Sequence, residues 1–335
     1  MPDQNNYSFD FQYAFGKPKS KAQFRVEIDD FLVDEDLGFS PAGEGEHVFL
    51  HVKKRDQNTQ WLAKEIAQFA GVSPRDVGYS GLKDRFAETT QWFSIYDPKI
   101  KVIHWDSFLI DGVKILEITR HTSKLKPGMH ALNKFSIRLR NIISDNELEE
   151  RLEKVKVGVP NYFGEQRFGF NGNNLLQAES LLIQRMPIKN KKIRGLIISA
   201  ARSYLYNTIL SERVLNDSWL SRIDGEPESF STAPLWGRGR PLSSGRAEEL
   251  ETKALENLTA LANGLEHVGL KQERRPLVCV PQGFTAEFEE NASGHETKNL
   301  VISFSLLPGQ YATSVLREIA LVENVQRLES EIPQR

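Results

Sequence analysis

Residues 158–161, Gly158-Val159-Pro160-Asn161, end one kind of sequence and begin another. Upstream of them the apolar residues alternate. Phe24-Arg25-Val26-Glu27-Ile28 has the period of two that a half-buried strand requires, and Val48, Leu50 and Val52 repeat it around Phe49 and His51. Stretches 89–96 and 113–119 are rich in β-branched and aromatic residues. Phe135, Ile137 and Leu139 alternate with Ser136, Arg138 and Arg140, which predicts a strand with one buried face and one basic face. Two helices interrupt this series. One is capped by Asn58, carries Trp61, Leu62, Ile66 and Phe69, and ends near Gly71. The other follows the capping-box spacing of Ser144 and Glu147.

Downstream of the break the spacing turns helical. From about 174 to 216 the candidate core positions are Leu175, Leu182, Leu196, Ala200, Tyr204 and Leu205. Residues 224–245, rich in Gly, Pro and Ser, predict a long surface loop, and a further helix is expected over 247–262. Strands return at 277–280, 285–288 and 300–306, and a helix is expected over 313–322. A mainly helical stretch lies inside a strand-forming one. This predicts an α+β fold in which a domain built from both ends of the chain receives a mainly helical insertion.

The chain has 335 residues, enough for two domains, and 39% of them are hydrophobic, enough for a sizeable core without covalent staples. A single cysteine, Cys279, excludes an internal disulfide framework and suggests a reducing compartment. No apolar stretch reaches the roughly 20 residues of a membrane span. Met1-Pro2-Asp3-Gln4-Asn5 has neither the basic nor the apolar region of a signal peptide, so a cytoplasmic, unprocessed protein is expected.

The net charge of −2 hides zoning. Residues 27–46 carry acids at 27, 29, 30, 34, 35, 36, 44 and 46 and no Lys or Arg. Residues 118–141 carry Arg120, Lys124, Lys126, Lys134, Arg138 and Arg140 and no acid. A second acid-free run holds Arg185, Lys189, Lys191, Lys192, Arg194 and Arg202. Such basic runs suit a polyanion that is engaged and then released, or else form ordinary solvated faces.

Three segments can carry chemistry. In Gly81-Leu82-Lys83-Asp84-Arg85-Phe86 a carboxylate stands between two cations just past a short strand. Nearby cations favour an ionised carboxylate, available as nucleophile or base. Immediate neighbours in an extended segment point to opposite faces, however, so a cation from elsewhere can be the partner of Asp84. The plain alternative is a turn aspartate with flanking surface charges. Residues 159–169 interleave Tyr162, Phe163 and Phe168 with Asn161, Gln166 and Arg167, which fits stacking on unpaired nucleotides or, equally, a tight aromatic-plugged linker. In residues 307–318, Pro308-Gly309 turns the chain, Thr313 or Ser314 caps a helix, and Tyr311 stands just before it. His47 and His51 lie on a strand, too far apart to chelate together, so no metal site is expected. With neither Gly-x-Gly-x-x-Gly nor a P-loop, no nucleotide cofactor is expected either.

Taken together and in this order, these segments resemble the TruD-type tRNA pseudouridine synthases. So do residues 30–39 (Asp30-Phe31-Leu32-Val33-Asp34-Glu35-Asp36-Leu37-Gly38-Phe39), 43–47 (Gly43-Glu44-Gly45-Glu46-His47) and 199–203. The match runs from about residue 16 to Arg317 and is weakest over 215–275. The resemblance implies isomerisation of uridine to pseudouridine in tRNA, at position 13, without a cofactor; tRNA is the expected partner, with no membrane and no obligate protein partner. It implies a pseudouridine-synthase-like α+β catalytic domain with a mixed, largely antiparallel sheet. That domain would take residues 1–158 and 291–335, and the family's inserted domain residues 159–290. Asp84 matches the catalytic aspartate. Phe31, Phe135 and Asn133 match substrate-pocket positions. Arg25 falls where a basic residue is expected and is the candidate partner of Asp84. Tyr311 falls where close relatives often carry Phe, keeping a stacking face but adding a hydroxyl that needs a partner. Lys124, Lys126, Lys134, Arg167 and Arg202 are the candidates for the RNA backbone. Two other readings stay open: a non-catalytic RNA-binding or remodelling protein on this scaffold, and a metal-dependent RNA hydrolase using acids of the 27–46 zone.

Overall fold

The computed structural model describes residues 7–289 and 298–326. Elements follow one another as β1 (Lys21–Phe24), β2 (Phe31–Asp36), β3 (His47–Arg55), α1 (Thr59–Ala70), β4 (Val77–Tyr79), β5 (Glu88–Tyr96), β6 (Val113–His121), β7 (Leu132–Ile143) and α2 (Leu148–Val157). Then come β8 (Val159–Pro160), α3 (Asn173–Leu182), α4 (Lys191–Leu215), β9 (Thr232–Leu235), α5 (Gly245–Ala254), α6 (Thr259–Glu266), β10 (Glu273–Pro276) and β11 (Val278–Cys279). The chain closes with β12 (Gln282–Glu289), β13 (Lys298–Leu306), α7 (Ala312–Ile319) and β14 (Leu321–Asn324).

Two compact units result. Among the described residues, one comprises 19–152, 281–289, 298–309 and 320–326; the other comprises 7–18, 153–280 and 310–319. The units change over at 152/153 and 280/281, against expected boundaries at 158/159 and 290/291. Segments 7–18 and 310–319, expected with the catalytic domain, group with 153–280, while residues 1–6 lie outside the described residues. Of the expected 291–335 segment, residues 291–297 and 327–335 lie outside the described residues.

The first unit is built on a ten-stranded sheet in the order β12-β13-β7-β2-β5-β3-β6. Strand β1 adds to β7, β14 to β1, and β4 to β5. Only β2–β5 and β1–β14 run parallel, so the sheet is mixed and largely antiparallel. Helix α1 lays Leu62, Ala63, Ile66 and Ala67 on Val48, Leu50, Val52, Phe93 and Ile95. Its start is fixed by Asn58, whose side chain accepts from the backbone N–H groups of Gln60 and Trp61, and its end by Gly71 at φ 62°, a left-handed cap that favours glycine. Trp61 and Phe69 stay partly exposed. Phe69 instead packs on the rings of Trp105 and Phe108.

The second unit packs α3, α4 and α6 around Leu175, Leu182, Ala200, Tyr204, Leu205 and Leu265. Leu196 does not join them; it is 48% exposed. Residues 7–15, which show no sequence period, contribute Tyr7, Phe9, Phe11 and Phe15 to this core. They form no regular element and are held by ring contacts, for instance Phe9 on Phe168 and Phe11 on Tyr162. The expected helix 247–262 is broken at Leu255, with ψ at 11°, into α5 and α6. The expected helix 313–322 ends at Ile319, and residues 321–324 extend to pair with β1. The β-strand partner decides this, because backbone N–H and C=O groups of Lys21–Phe24 would otherwise lack a ladder on that side.

Candidate active site

The site is written into the register of four strands. Val33 pairs with Phe135 and with Thr89, Glu35 with Asn133, Val52 with Gln91 and Lys54 with Thr89. Residues directly opposite in a sheet share a face. Phe31, Val33, Glu35, Thr89, Gln91, Lys54, Asn133 and Phe135 therefore lie on one face, the side on which α1 packs. The loop of residues 80–87 crosses that face.

Hydrogen bonds pin the loop to the face. Thr59, at the start of α1, accepts from the Lys83 backbone N–H at 3.1 Å and donates to Gln91 Oε1 at 2.8 Å. Gln91 Nε2 donates to the Gly81 carbonyl at 3.3 Å. Lys83 turns inward: its ammonium donates to Glu35 Oε2 at 2.6 Å and to Asn133 Oδ1 at 2.8 Å. Glu35 also accepts the Trp92 backbone N–H at 3.1 Å. Asn133 Nδ2 donates to His130 Nε2 at 2.9 Å. That bond needs an unprotonated ring nitrogen, and burial with Lys83 close by does hold His130 below the usual histidine range. Such a fully buried ion pair tolerates its loss of water only because every partner is in place.

Asp84 faces the other way. Its neighbours do not pair with it, since Lys83 binds Glu35 and Arg85 Nε binds Asp56 at 3.0 Å. The cation comes from the end of β1. Arg25 Nη2 lies 3.1 Å from Asp84 Oδ1, with 9% of the Arg25 side chain exposed and 42% of that of Asp84. Arg25 reaches there from a left-handed backbone, φ 58°, which a non-glycine residue rarely adopts. Its guanidinium lies 4.4 Å from the centre of the Phe31 ring and 4.9 Å from that of Phe24. Phe31 stacks on Phe135 and Phe135 on Phe304, at 6.1 and 5.4 Å between centres, and Phe284 extends the row. The result is a half-exposed carboxylate held by one cation beside an aromatic row. That arrangement can present an ionised oxygen to a planar apolar group.

The structure thus brings Asp84, Arg25, Phe31, Phe135 and Asn133 into one unit on one sheet face. Tyr311 belongs to the other unit. There its hydroxyl accepts from Arg167 Nη2 at 2.6 Å, and its ring lies against Phe163. Arg167 also contacts Ser199 at 3.4 Å. Arg202 donates to the carbonyls of Leu235, Trp236 and Lys271. Lys134 pairs with Asp36 at 2.8 Å, Lys124 donates to the Arg75 carbonyl, and Lys126 is exposed. The acidic zone has a structural task as well. Buried Asp30 accepts from Arg140 Nε at 2.8 Å and lies 3.7 Å from Arg138, while Glu27 pairs with Arg140 and Asp29 with Arg55.

Sequence reasoning missed Glu35, Thr59, Gln91 and Lys54. For Lys54 a signal was present. It continues the inward row Val48, Leu50, Val52 by one more step of two, a lysine at an apolar register position.

The family model described as tRNA pseudouridine synthase D (TruD) matches residues 10–187 and 220–319. The tRNA pseudouridine synthase D of Cellvibrio japonicus is 46% identical over 333 residues, covering 97% of each chain. That of Shewanella oneidensis is 39% identical, covering 96% of this chain and 91% of its own. A crystal structure from Methanosarcina mazei, described as that of a tRNA pseudouridine synthase D, superposes with a TM-score of 0.68. It covers 92% of this chain and 95% of its own at 21% identity, a likeness of fold. On the family match and on this level of identity along nearly the whole chain, the protein belongs to the tRNA pseudouridine synthase D family.

Proposed function

We propose that this protein is an isomerase that converts a uridine of tRNA to pseudouridine, at position 13, and that Asp84 initiates the reaction. The observation that carries the reading is the Asp84 carboxylate, half-exposed on a pinned loop and paired at 3.1 Å with Arg25. In this reaction the N1–C1′ bond breaks, the uracil turns, and C5 joins C1′. C5 gives up a proton and N1 takes one, so atoms balance and no electron carrier is consumed. Asp84 starts it either by attacking C1′ or by removing the 2′ proton. The target base must leave its stack to reach the carboxylate, at a cost of a few kcal/mol. Contacts with aromatic rings beside Asp84 offset part of that cost.

Arg25 holds the carboxylate on one side and is itself held flat by Phe31. Asn133 is committed through both ends of its amide, to Lys83 and His130, so its contribution is to fix the inner wall. The unit of 19–152, 281–289, 298–309 and 320–326 would be the catalytic domain, and 153–280 the inserted one. No helix among the described residues is long and apolar enough to cross a membrane.

The test is conversion of an unmodified tRNA transcript labelled with tritium at uracil C5. The wild-type chain is expected to release tritium at a single uridine with no loss of nucleotide mass. Asp84→Asn is expected to lose at least about a hundredfold in rate while still binding tRNA. Binding without conversion by the wild-type chain would make this an RNA-binding protein and Asp84 a structural residue. Shortened RNA would indicate hydrolysis.

A further inference from the structure

Lys54 is fully buried, although no carboxylate among the described residues pairs with it. Taking an ammonium out of water carries a large cost unless its protons are satisfied. Here two backbone carbonyls take two of the three: Gln57 O at 2.7 Å and Asp84 O at 3.1 Å. Gln57 precedes Asn58, the cap that fixes the start of α1. Lys54 therefore staples the backbone of Asp84 to a rigid helix origin. A Met or Leu at this register position would fill the same space without the desolvation cost, but would leave both carbonyls without this donor.

We propose that Lys54 is a positioning residue for Asp84, holding the reactive loop by its ammonium and placing a positive charge behind the carboxylate that Arg25 holds in front. The proposal rests on the functional reading given above. The charged groups that act on Lys54 are Asp84 and Lys83 on the loop and Asp56 at the end of β3. Burial is the largest influence and pushes its ammonium down to about 8; Lys83 acts in the same sense, and Asp84 and Asp56 oppose it. The sign follows. Lys54 is charged at pH 7 and discharges as the pH rises through about 8, whereas a lysine in water would hold its proton to about 10.4.

The experiment compares wild type with Lys54→Met, which keeps the unbranched stem and removes the charge and the donors. Single-turnover pseudouridine formation is followed from pH 7 to 9.5, with tRNA binding and melting measured on the same preparations. The variant is expected to bind tRNA within twofold of wild type and to react at least about tenfold more slowly at pH 7. The rate ratio of wild type to variant is expected to narrow as the pH rises, because wild type loses the same charge. An alkaline limb set by the uracil itself would be shared by both chains and would leave the ratio flat. A ratio near one at pH 7, or a ratio constant across the range, overturns the proposal. Should Lys54→Met fail to fold, Lys54→Gln takes its place. A wild-type rate that shows no fall between pH 7 and 9.5 overturns the proposal with no variant at all. Wild type that makes no pseudouridine at any pH overturns the functional reading, and this proposal with it.

Discussion

Arg25 Nη2 stands 3.1 Å from Asp84 Oδ1 while the same guanidinium lies 4.4 Å from the centre of the Phe31 ring. One side chain thus joins the Asp84 carboxylate to the aromatic row. A flat, delocalised cation can stack and pair at once; an ammonium on a flexible stem does so poorly. Arg25→Lys is therefore expected to lose activity, and Arg25→Met to lose about tenfold to a hundredfold, the worth of a hydrogen bond to a charged group. Phe31→Leu should lower the rate by a route that overlaps with the loss of Arg25. A double-mutant cycle on the single-turnover rate should then give a coupling of about 0.5–2 kcal/mol. Strict additivity would show that Arg25 does not act through Phe31.

Below the loop, the Lys83–Glu35 pair makes a sharper statement about stability. Both side chains are almost completely withdrawn from water, at 5% and 0% exposure. Removing one partner of such a pair strands the other, at a cost of about 3–5 kcal/mol. Lys83→Met is expected to lower stability by that order in urea unfolding. The double variant Lys83→Met with Glu35→Gln should recover much of the loss, since no buried charge is then left alone. A single variant as stable as wild type would mean that water reaches Glu35.

How much of this arrangement was legible in the sequence depends on which force fixed it. Alternation placed β3 and β7 because one face of each is buried, and Asn58 and Gly71 placed the ends of α1 because caps are local chemistry. The resemblance singled out Asp84 and Arg25, but their meeting joins residues 59 positions apart and depends on a left-handed Arg25 that no period announces. Likewise, the basic face of β7 reads in sequence as a solvated strip. The register of β2 against β7 sets Asp34, not Asp36, opposite Lys134, so the pair of Lys134 with Asp36 is a diagonal one that only the folded side chains reveal, as is the hold of Asp30, in the turn before β2, on Arg138 and Arg140. The end of α7 was lost for a similar reason: β1, some 300 residues earlier in sequence, offers Leu321–Asn324 a ladder.

Cys279, the single cysteine, is fully buried, and burial pushes its thiol up to about 12 against a partial opposing effect of Arg275. The thiolate is the reactive form, so a raised thiol is inert in the native state. At pH 8 the folded protein is expected to show no alkylation by iodoacetamide over hours, and the urea-unfolded protein to show one modified residue. Rapid modification of the folded protein would place Cys279 within reach of solvent.

The ion pairs also decide which of the basic residues are left open to a polyanion. Each cation that neutralises a phosphate releases counterions, so binding weakens with salt in proportion to the number of such contacts. Lys134 already has a carboxylate partner in Asp36. By contrast Arg185, Lys189, Lys191 and Lys192, before and in the first turn of α4, are exposed and form no ion pair with any described residue. Replacing Lys189, Lys191 and Lys192 together with Gln should make the slope of log binding constant against log salt shallower by about two to three, about one per lost phosphate contact. Lys134→Gln should leave that slope within experimental scatter. Fluorescence anisotropy with labelled tRNA between 50 and about 200 mM salt measures both. The opposite ranking, with Lys134 steepening the dependence and the α4 lysines silent, would return the RNA contact to the β7 strip and require the Asp36 pair to open on binding.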